Sequence, residues 1–140
     1  MQTVRDVMTT NVEACTTLDN VYEVASKMKE LNVGAIPIVE NGQVMGMITD
    51  RDLVIRGIAE RKPNSQKVTD VMSGHLVTVS ADASVEQAAQ LMAQHQVRRL
   101  PVVENGQLVG IVALGDLATN KYSDQKAGSA LTQISEPLHQ

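Results

Sequence analysis

Laying residues 4–54 over residues 68–118 needs no gap, and 17 of the 51 aligned pairs are identical. The identities include Asp6-Val7-Met8 with Asp70-Val71-Met72, Pro37 with Pro101, Val39 to Gln43 with Val103 to Gln107, Gly46 with Gly110, and Asp52-Leu53 with Asp116-Leu117. A repeat of this length dominates any other constraint on the fold. Each copy is about 60 residues, a size at which a lone domain is marginal. The expected solution is two units that bury a face against each other about an approximate two-fold axis. The join, Arg61-Lys62-Pro63-Asn64-Ser65-Gln66-Lys67, is polar, contains a proline, and reads as a surface linker. The divisions that follow are 1–62 for the first repeat, 63–67 for the linker, 68–122 for the second repeat, and 123–140 for a C-terminal helix and tail.

Within a copy the order is strand, helix, strand, strand, helix. In the first, Val4 to Met8 predicts a short helical turn and Val12 to Thr16 a strand. Asn20 with Glu23, and Ser84 with Gln87, have capping-box spacing. Val21, Val24, Ala25, Met28 and Leu31 then fall on one helical face, as do Val85, Ala88, Ala89, Met92 and His95. Ile36–Glu40 and Gln43–Ile48 are strands joined by Asn41-Gly42, the natural dipeptide of a type I′ hairpin. Their apolar residues run consecutively, so both sheet faces are expected to be covered. Pro37 belongs at a strand start or edge, and Gly46 at a bulge or close approach. Thr49 caps a helix whose third residue is Asp52, continued by Leu53, Val54, Ile55 and Ile58. Past residue 122, Ala127, Ala130, Leu131 and Ile134 share a helical face.

Composition narrows function. The 140 residues carry a formal net charge of −4, which opposes a nucleic-acid footprint. No apolar run nears the roughly 18 residues needed to span a bilayer, and the N-terminus lacks a signal-peptide build, so no membrane partner is expected. The lone Cys15 permits no internal disulfide and fits a cytoplasmic setting. With Tyr22 and Tyr122 as the aromatic residues, a planar ligand would rest against aliphatic walls. His75, His95 and His139 have no ligand-spaced partners, so no metal site is expected. His95 and Cys15 read as packed core residues. No serine elbow, P-loop or dinucleotide fingerprint is present, and no acid–base–nucleophile set emerges, so no enzyme is expected.

Two short segments carry chemistry. In Gly46-Met47-Ile48-Thr49-Asp50-Arg51-Asp52, a hydroxyl and a carboxylate three residues apart sit at a helix start, where free N–H groups attract phosphate. A carboxylate there is also placed to accept from vicinal ribose hydroxyls. Thr49 and Asp52 are thus either a nucleotide clamp or an ordinary cap. Arg98-Arg99, before Leu100-Pro101, are either phosphate ligands or a solvated strand end. Gly34-Ala35 are the uncharged counterparts, and Ala113 stands where Thr49 stands in the first copy. Were the units to pack face to face, Arg98 or Arg99 would come within reach of a ligand on the first.

These residues resemble a tandem cystathionine-β-synthase (CBS) domain pair, or Bateman module. The marks are Asp6-Val7-Met8 and its echo, Val33-Gly34-Ala35-Ile36-Pro37, Val97-Arg98-Arg99-Leu100-Pro101, and the paired segments from Gly46 and Gly110 to Asp52 and Asp116. The resemblance covers about residues 4–120 and looks like a stand-alone bacterial CBS pair. It implies an α+β fold of two βαββα repeats about a pseudo-two-fold axis. It also implies non-enzymatic, regulatory sensing of an adenosyl ligand (AMP, ADP, ATP or S-adenosylmethionine) in clefts between the repeats, with no required cofactor. Asp52 would hold the ribose, Thr49 a phosphate, and Cys15, Thr16, Gly34, Ala35, Ile36, Pro37 and Arg51 would complete the first site. Val79, Ser80, Arg98, Arg99, Leu100, Pro101 and Asp116 would form a second, weakened by Ala113. Such modules commonly form homodimers through their helices; with Ala113 in place of a hydroxyl and no arginine at Gly34-Ala35, a ligand-free homodimerisation or protein-interaction module is the competing expectation.

Overall fold

The structure, a computed structural model, describes residues 2–118; the helix expected over 123–140, with Tyr122 and His139, lies outside them. The fold is α+β, and the described chain forms two compact units. One comprises residues 13–76 and the other residues 2–12 with 77–118.

The unit of residues 13–76 contains β1 (Cys15–Thr16), α2 (Val21–Leu31), β2 (Ala35–Glu40), β3 (Gln43–Thr49) and a short α3 (Asp50–Asp52). The helix α1 (Val4–Val7) belongs to the other unit. β1 pairs parallel with β2, and β2 antiparallel with β3. Asn41 at φ 54° and Gly42 at φ 82° turn the hairpin, the two positive φ values that a type I′ turn requires. Opposite Ile38 and Val39 the register slips by one residue, leaving Met45 as the bulge beside Gly46. A Cβ on Gly46 would fall 2.8 Å from Met72 Sδ, so the bulge and the close approach coincide. Pro37 is third in β2 rather than at its start; β1 begins pairing one residue later, at Ile38, so the missing N–H is not needed there. Asn20 Oδ1 accepts from Glu23 N at 2.8 Å while Glu23 Oε1 accepts from Asn20 N at 3.0 Å. The linker also serves α2: Val21 N donates to Gln66 O at 2.9 Å and Tyr22 N to Asn64 O at 3.1 Å, satisfying N–H groups a helix start leaves free.

Two readings of this unit change. The first strand is Cys15–Thr16, not Val12 to Thr16, because β2 offers register only to those two residues. Ala25 is exposed, so the buried stripe of α2 narrows to Val24 and Met28. After Asp52 the helix widens into a π-helical segment, Leu53–Ile58, with Ala59 N donating to Val54 O at 2.8 Å. Leu53 enters the core with Ile36, Ile38 and Ile48, while Val54, Ile55 and Ile58 stay exposed.

The second unit repeats the plan with β4 (Val79–Ser80), α4 (Val85–His95), β5 (Arg99–Glu104), β6 (Gln107–Ala113) and α5 (Leu114–Ala118). β4 pairs parallel with β5, and β5 antiparallel with β6. Ser84 and Gln87 form the same reciprocal cap. Val85, Ala88, Ala89 and Met92 are buried as the pattern requires, whereas His95 is half-buried at the last turn rather than a core residue.

The packed units and the sequence repeats are different partitions of the chain. α1, from the first repeat, packs with the second: Val4 is fully buried beside Val85, Val102 and Val112. Its counterpart Val68, opening a 3₁₀ turn (Val68–Asp70), is fully buried in the first repeat's core with Ile38 and Val24. Each repeat thus contributes its leading valine to the other unit.

Candidate functional site

In the unit of residues 13–76 the β3–α3 turn closes a reciprocal cap. Asp52 N donates to Thr49 Oγ1 at 3.1 Å, and Thr49 N donates to Asp52 Oδ2 at 3.0 Å. Both side chains are half-buried. The cap fixes the side chains and leaves the Thr49 hydroxyl proton and Asp52 Oδ1 outside those two bonds. β2 lies alongside: Ala35 pairs with Thr49, and Asp50 N donates to Gly34 O at 2.9 Å. The Asp50 carboxylate lies over Gly34, its Oδ2 3.0 Å from where a Cβ would stand, and its Oδ1 accepts from Arg51 N at 2.8 Å. Asp50 and Arg51 are exposed.

The corner recurs in the other unit with different side chains. Ala113 pairs with Arg99, Leu114 N donates to Arg98 O at 2.8 Å, and Ala113 N donates to Asp116 Oδ2 at 2.8 Å. The carboxylate half of the cap survives; the hydroxyl half is absent at Ala113. Arg98 and Arg99 are exposed.

The remaining expected residues divide by burial. Ile36, Val79 and Leu100 are buried in the cores, and Pro37 and Pro101 are buried as well. Gly34, Ala35 and Asp116 are half-buried, and Thr16 and Ser80 are exposed. Thr16 is committed locally: its N–H donates to Asp19 Oδ2 at 2.7 Å and its Oγ1 accepts from Leu18 N at 3.2 Å. Cys15 is buried, and burial, aided by the Asp19 carboxylate, pushes its thiol up to about 11. It floors an open cavity of about 330 Å³ between β1 and α2, with Asp19, Tyr22, Glu23 and Lys27 among its walls. Thr49 and Asp52 do not line that cavity. The sequence reading did not single out Asp50; its spacing from Gly34 carries no local signal, because the contact comes from the β2–β3 pairing.

The CBS domain family matches residues 4–57 and again residues 68–121, both copies of the repeat. The chain belongs to the CBS domain family. It is a CBS pair, a regulatory module. The uncharacterized protein YlbB of Bacillus subtilis is 56% identical over 138 residues, 97% of this chain and 93% of that protein. The crystal structure of Hypoxic Response Protein I, with two coordinated zinc ions, is similar at a TM-score of 0.80 and 36% identity, covering 85% of this chain and 98% of that one. Among the described residues of this CBS pair, no group of three or more His, Cys, Asp or Glu side chains is placed to hold a metal ion. The CBS pair of protein MJ0100, solved with 5′-methylthioadenosine and S-adenosyl-L-methionine, has a TM-score of 0.76. It is 24% identical and covers 85% of this chain and 94% of that one, a likeness of fold. No helix among the described residues is long and apolar enough to cross a membrane.

Proposed function

We propose that this CBS pair is a non-catalytic sensor that binds an adenosyl ligand, such as AMP, ADP, ATP or S-adenosylmethionine, through the Thr49–Asp52 turn. The observation that carries this reading is the reciprocal cap itself. It holds a carboxylate and a hydroxyl side by side at the end of β3, the pair of groups that ribose hydroxyls and a 5′ substituent need. Asp116 offers a second, lesser turn, since Ala113 supplies no hydroxyl. A cytoplasmic setting fits the single buried thiol.

Calorimetric titration of the four ligands into wild type and Asp52→Ala tests the assignment. Saturable binding that weakens at least about tenfold in the variant is expected, a loss of about 1.4 kcal/mol. Equal binding by both proteins removes the turn from the site. A thermal-shift screen is a first look, because ligand at 100 times its Kd stabilises by about 2.7 kcal/mol.

A second reading, homodimerisation, rests on exposed apolar side chains. Leu18, Tyr22 and Ile58 are 83%, 61% and 71% exposed, and Val54 and Ile55 about half so. All belong to the unit of residues 13–76, and α2 packs against the Leu53–Ile58 segment. Their counterparts at the first two positions are Asp82 and Glu86, so those two positions are apolar in the first repeat and acidic in the second. Light scattering should give a dimer for wild type and a monomer for Ile58→Glu; a wild-type monomer at micromolar concentration removes this reading.

A further inference from the structure

Each repeat contributes a methionine as well as a valine to the other unit. Met8 and Met72 end the matching Asp-Val-Met segments, and each thioether seats on the glycine beside a hairpin bulge. A Cβ on Gly110 would fall 2.8 Å from Met8 Sδ, and one on Gly46 2.8 Å from Met72 Sδ. The surroundings of the two seats differ. At Gly46 the three nearest atoms all belong to Met72, so that side chain can swing away without moving backbone. At Gly110 the Thr9 carbonyl oxygen stands 2.8 Å from the same point as Met8 Sδ. That carbonyl accepts from Ile111 N at 2.9 Å, and Thr9 N donates to Ile111 O at 2.8 Å. Met8 thus sits beside the bond pair that ties the leading segment to β6. Neither thioether is sealed from solvent. Met8 and Met72 are half-buried, Met45 is exposed, and Met28 and Met92 are buried.

We propose that the Met8 thioether is a reversible oxidation site for hydrogen peroxide, and that its sulfoxide loosens the leading segment from β6. In the oxidation the peroxide O–O bond breaks and one oxygen bonds to the sulfur. The other oxygen leaves as water with both protons, so sulfur loses the two electrons that the peroxide gains. A dithiol reverses the step, carrying the oxygen off as water while it closes to a disulfide. The sulfoxide is polar where the thioether was apolar, and methionine sulfoxide disrupts packed contacts for that reason. Its oxygen accepts hydrogen bonds and cannot donate. At Gly110 it meets the Thr9 carbonyl, a second acceptor, and two acceptors cannot bond each other. Turning Met8 out to solvent relieves that contact but pulls on Thr9, its neighbour in the chain, and so on the Thr9–Ile111 bonds. At Gly46 a Met72 sulfoxide turns outward and leaves the backbone where it was. The same modification is therefore silent at one seat and disruptive at the other.

Hydrogen peroxide titration of the full chain, read by peptide mass mapping and amide hydrogen exchange, tests this. Met45 should take up oxygen first, Met8 and Met72 next, and Met28 and Met92 only on unfolding. Once Met8 is oxidised, exchange at Thr9 and Ile111 should quicken by at least about tenfold, and that of α2 should stay within about twofold. Met8→Leu, which keeps the volume and has no sulfur, should hold the slow rates in peroxide. Met72→Leu should loosen as wild type does. Met8→Gln, a polar side chain of similar length, should exchange fast without peroxide. Methionine sulfoxide reductases with dithiothreitol should return oxidised wild type to the slow rates. Met8 as resistant to peroxide as Met92, or unchanged exchange at Thr9 and Ile111 once Met8 is oxidised, overturns the inference. So does loosening of Met8→Leu in peroxide, or protection by Met72→Leu, which would move the sensitive sulfur to the other seat. Fast exchange that persists after the sulfoxide is reduced overturns the reversible site.

Discussion

Val4 N donates to Ala83 O at 2.8 Å, joining the first repeat's leading helix to the loop before α4 in the second. The Val4 side chain is fully buried there. Truncating it to alanine removes apolar contacts and leaves a void that the fixed backbone bond cannot close. Val4→Ala should cost about 2 kcal/mol in urea unfolding. Arg5→Ala, which breaks ion pairs to Asp82 and Glu104 at the surface, should lose much less, and that loss should shrink with added salt.

The equivalent glycines Gly46 and Gly110 should respond unequally to alanine. At Gly110 a Cβ would sit 2.8 Å from both Met8 Sδ and the Thr9 carbonyl oxygen; the latter is backbone, tied by Thr9 N to Ile111 O at 2.8 Å. At Gly46 the nearest atoms, at 2.8 and 3.2 Å, are the flexible end of Met72. Gly110→Ala should destabilise by about 2 kcal/mol and Gly46→Ala by less than about 1 kcal/mol, compared by chemical denaturation.

Removing a cap separates folding from binding at the first turn. Thr49→Ala gives the turn the residue that the second repeat already has, keeping the Thr49 N to Asp52 bond and losing the Asp52 N to Oγ1 bond. A loss of about 1 kcal/mol is expected, with weaker adenosyl binding by calorimetry. The reverse change, Ala113→Thr, should strengthen binding at Asp116.

Cys15 sets an upper pH edge. Its thiol ionises near 9.0 when solvated and near 11 in the fold, pushed up by burial first and by Asp19 second. Between those values the unfolded chain holds fewer protons than the folded one, so stability is full below pH 9 and falls as pH rises toward 11. The fall should be about 2 kcal/mol or less and should vanish in Cys15→Ala, measured by urea unfolding across that range. At neutral pH the thiol should resist alkylation until the protein unfolds.

Local chemistry explains what could be read in advance. The hairpins follow from Asn-Gly, whose positive φ values cost little, and the helix starts follow from the Asn20–Glu23, Ser84–Gln87 and Thr49–Asp52 pairs, whose bonds span three residues. The Asp50–Gly34 contact and the exchange of Val4 and Val68 were not legible, because both depend on partners distant in sequence. The exposure of Ala25 and the π-helical widening after Asp52 were hidden for a related reason: helical periodicity records which residues share a face, not whether anything covers it. Of the expected site, Thr49 and Asp52 were legible as a cap, while the burial of Ile36 and Leu100 emerged only from the sheets.

The exchange of leading valines bears on how this protein can be taken apart. A cut in the polar stretch 63–67, where composition invites one, would yield an N-terminal piece whose Val4 has lost its pocket and whose core lacks Val68. The C-terminal piece would carry the complementary defects. Neither half is a module that can be moved to another protein intact. The portable part is the whole pair, so shuffling, circular permutation or fusion should keep both repeats together.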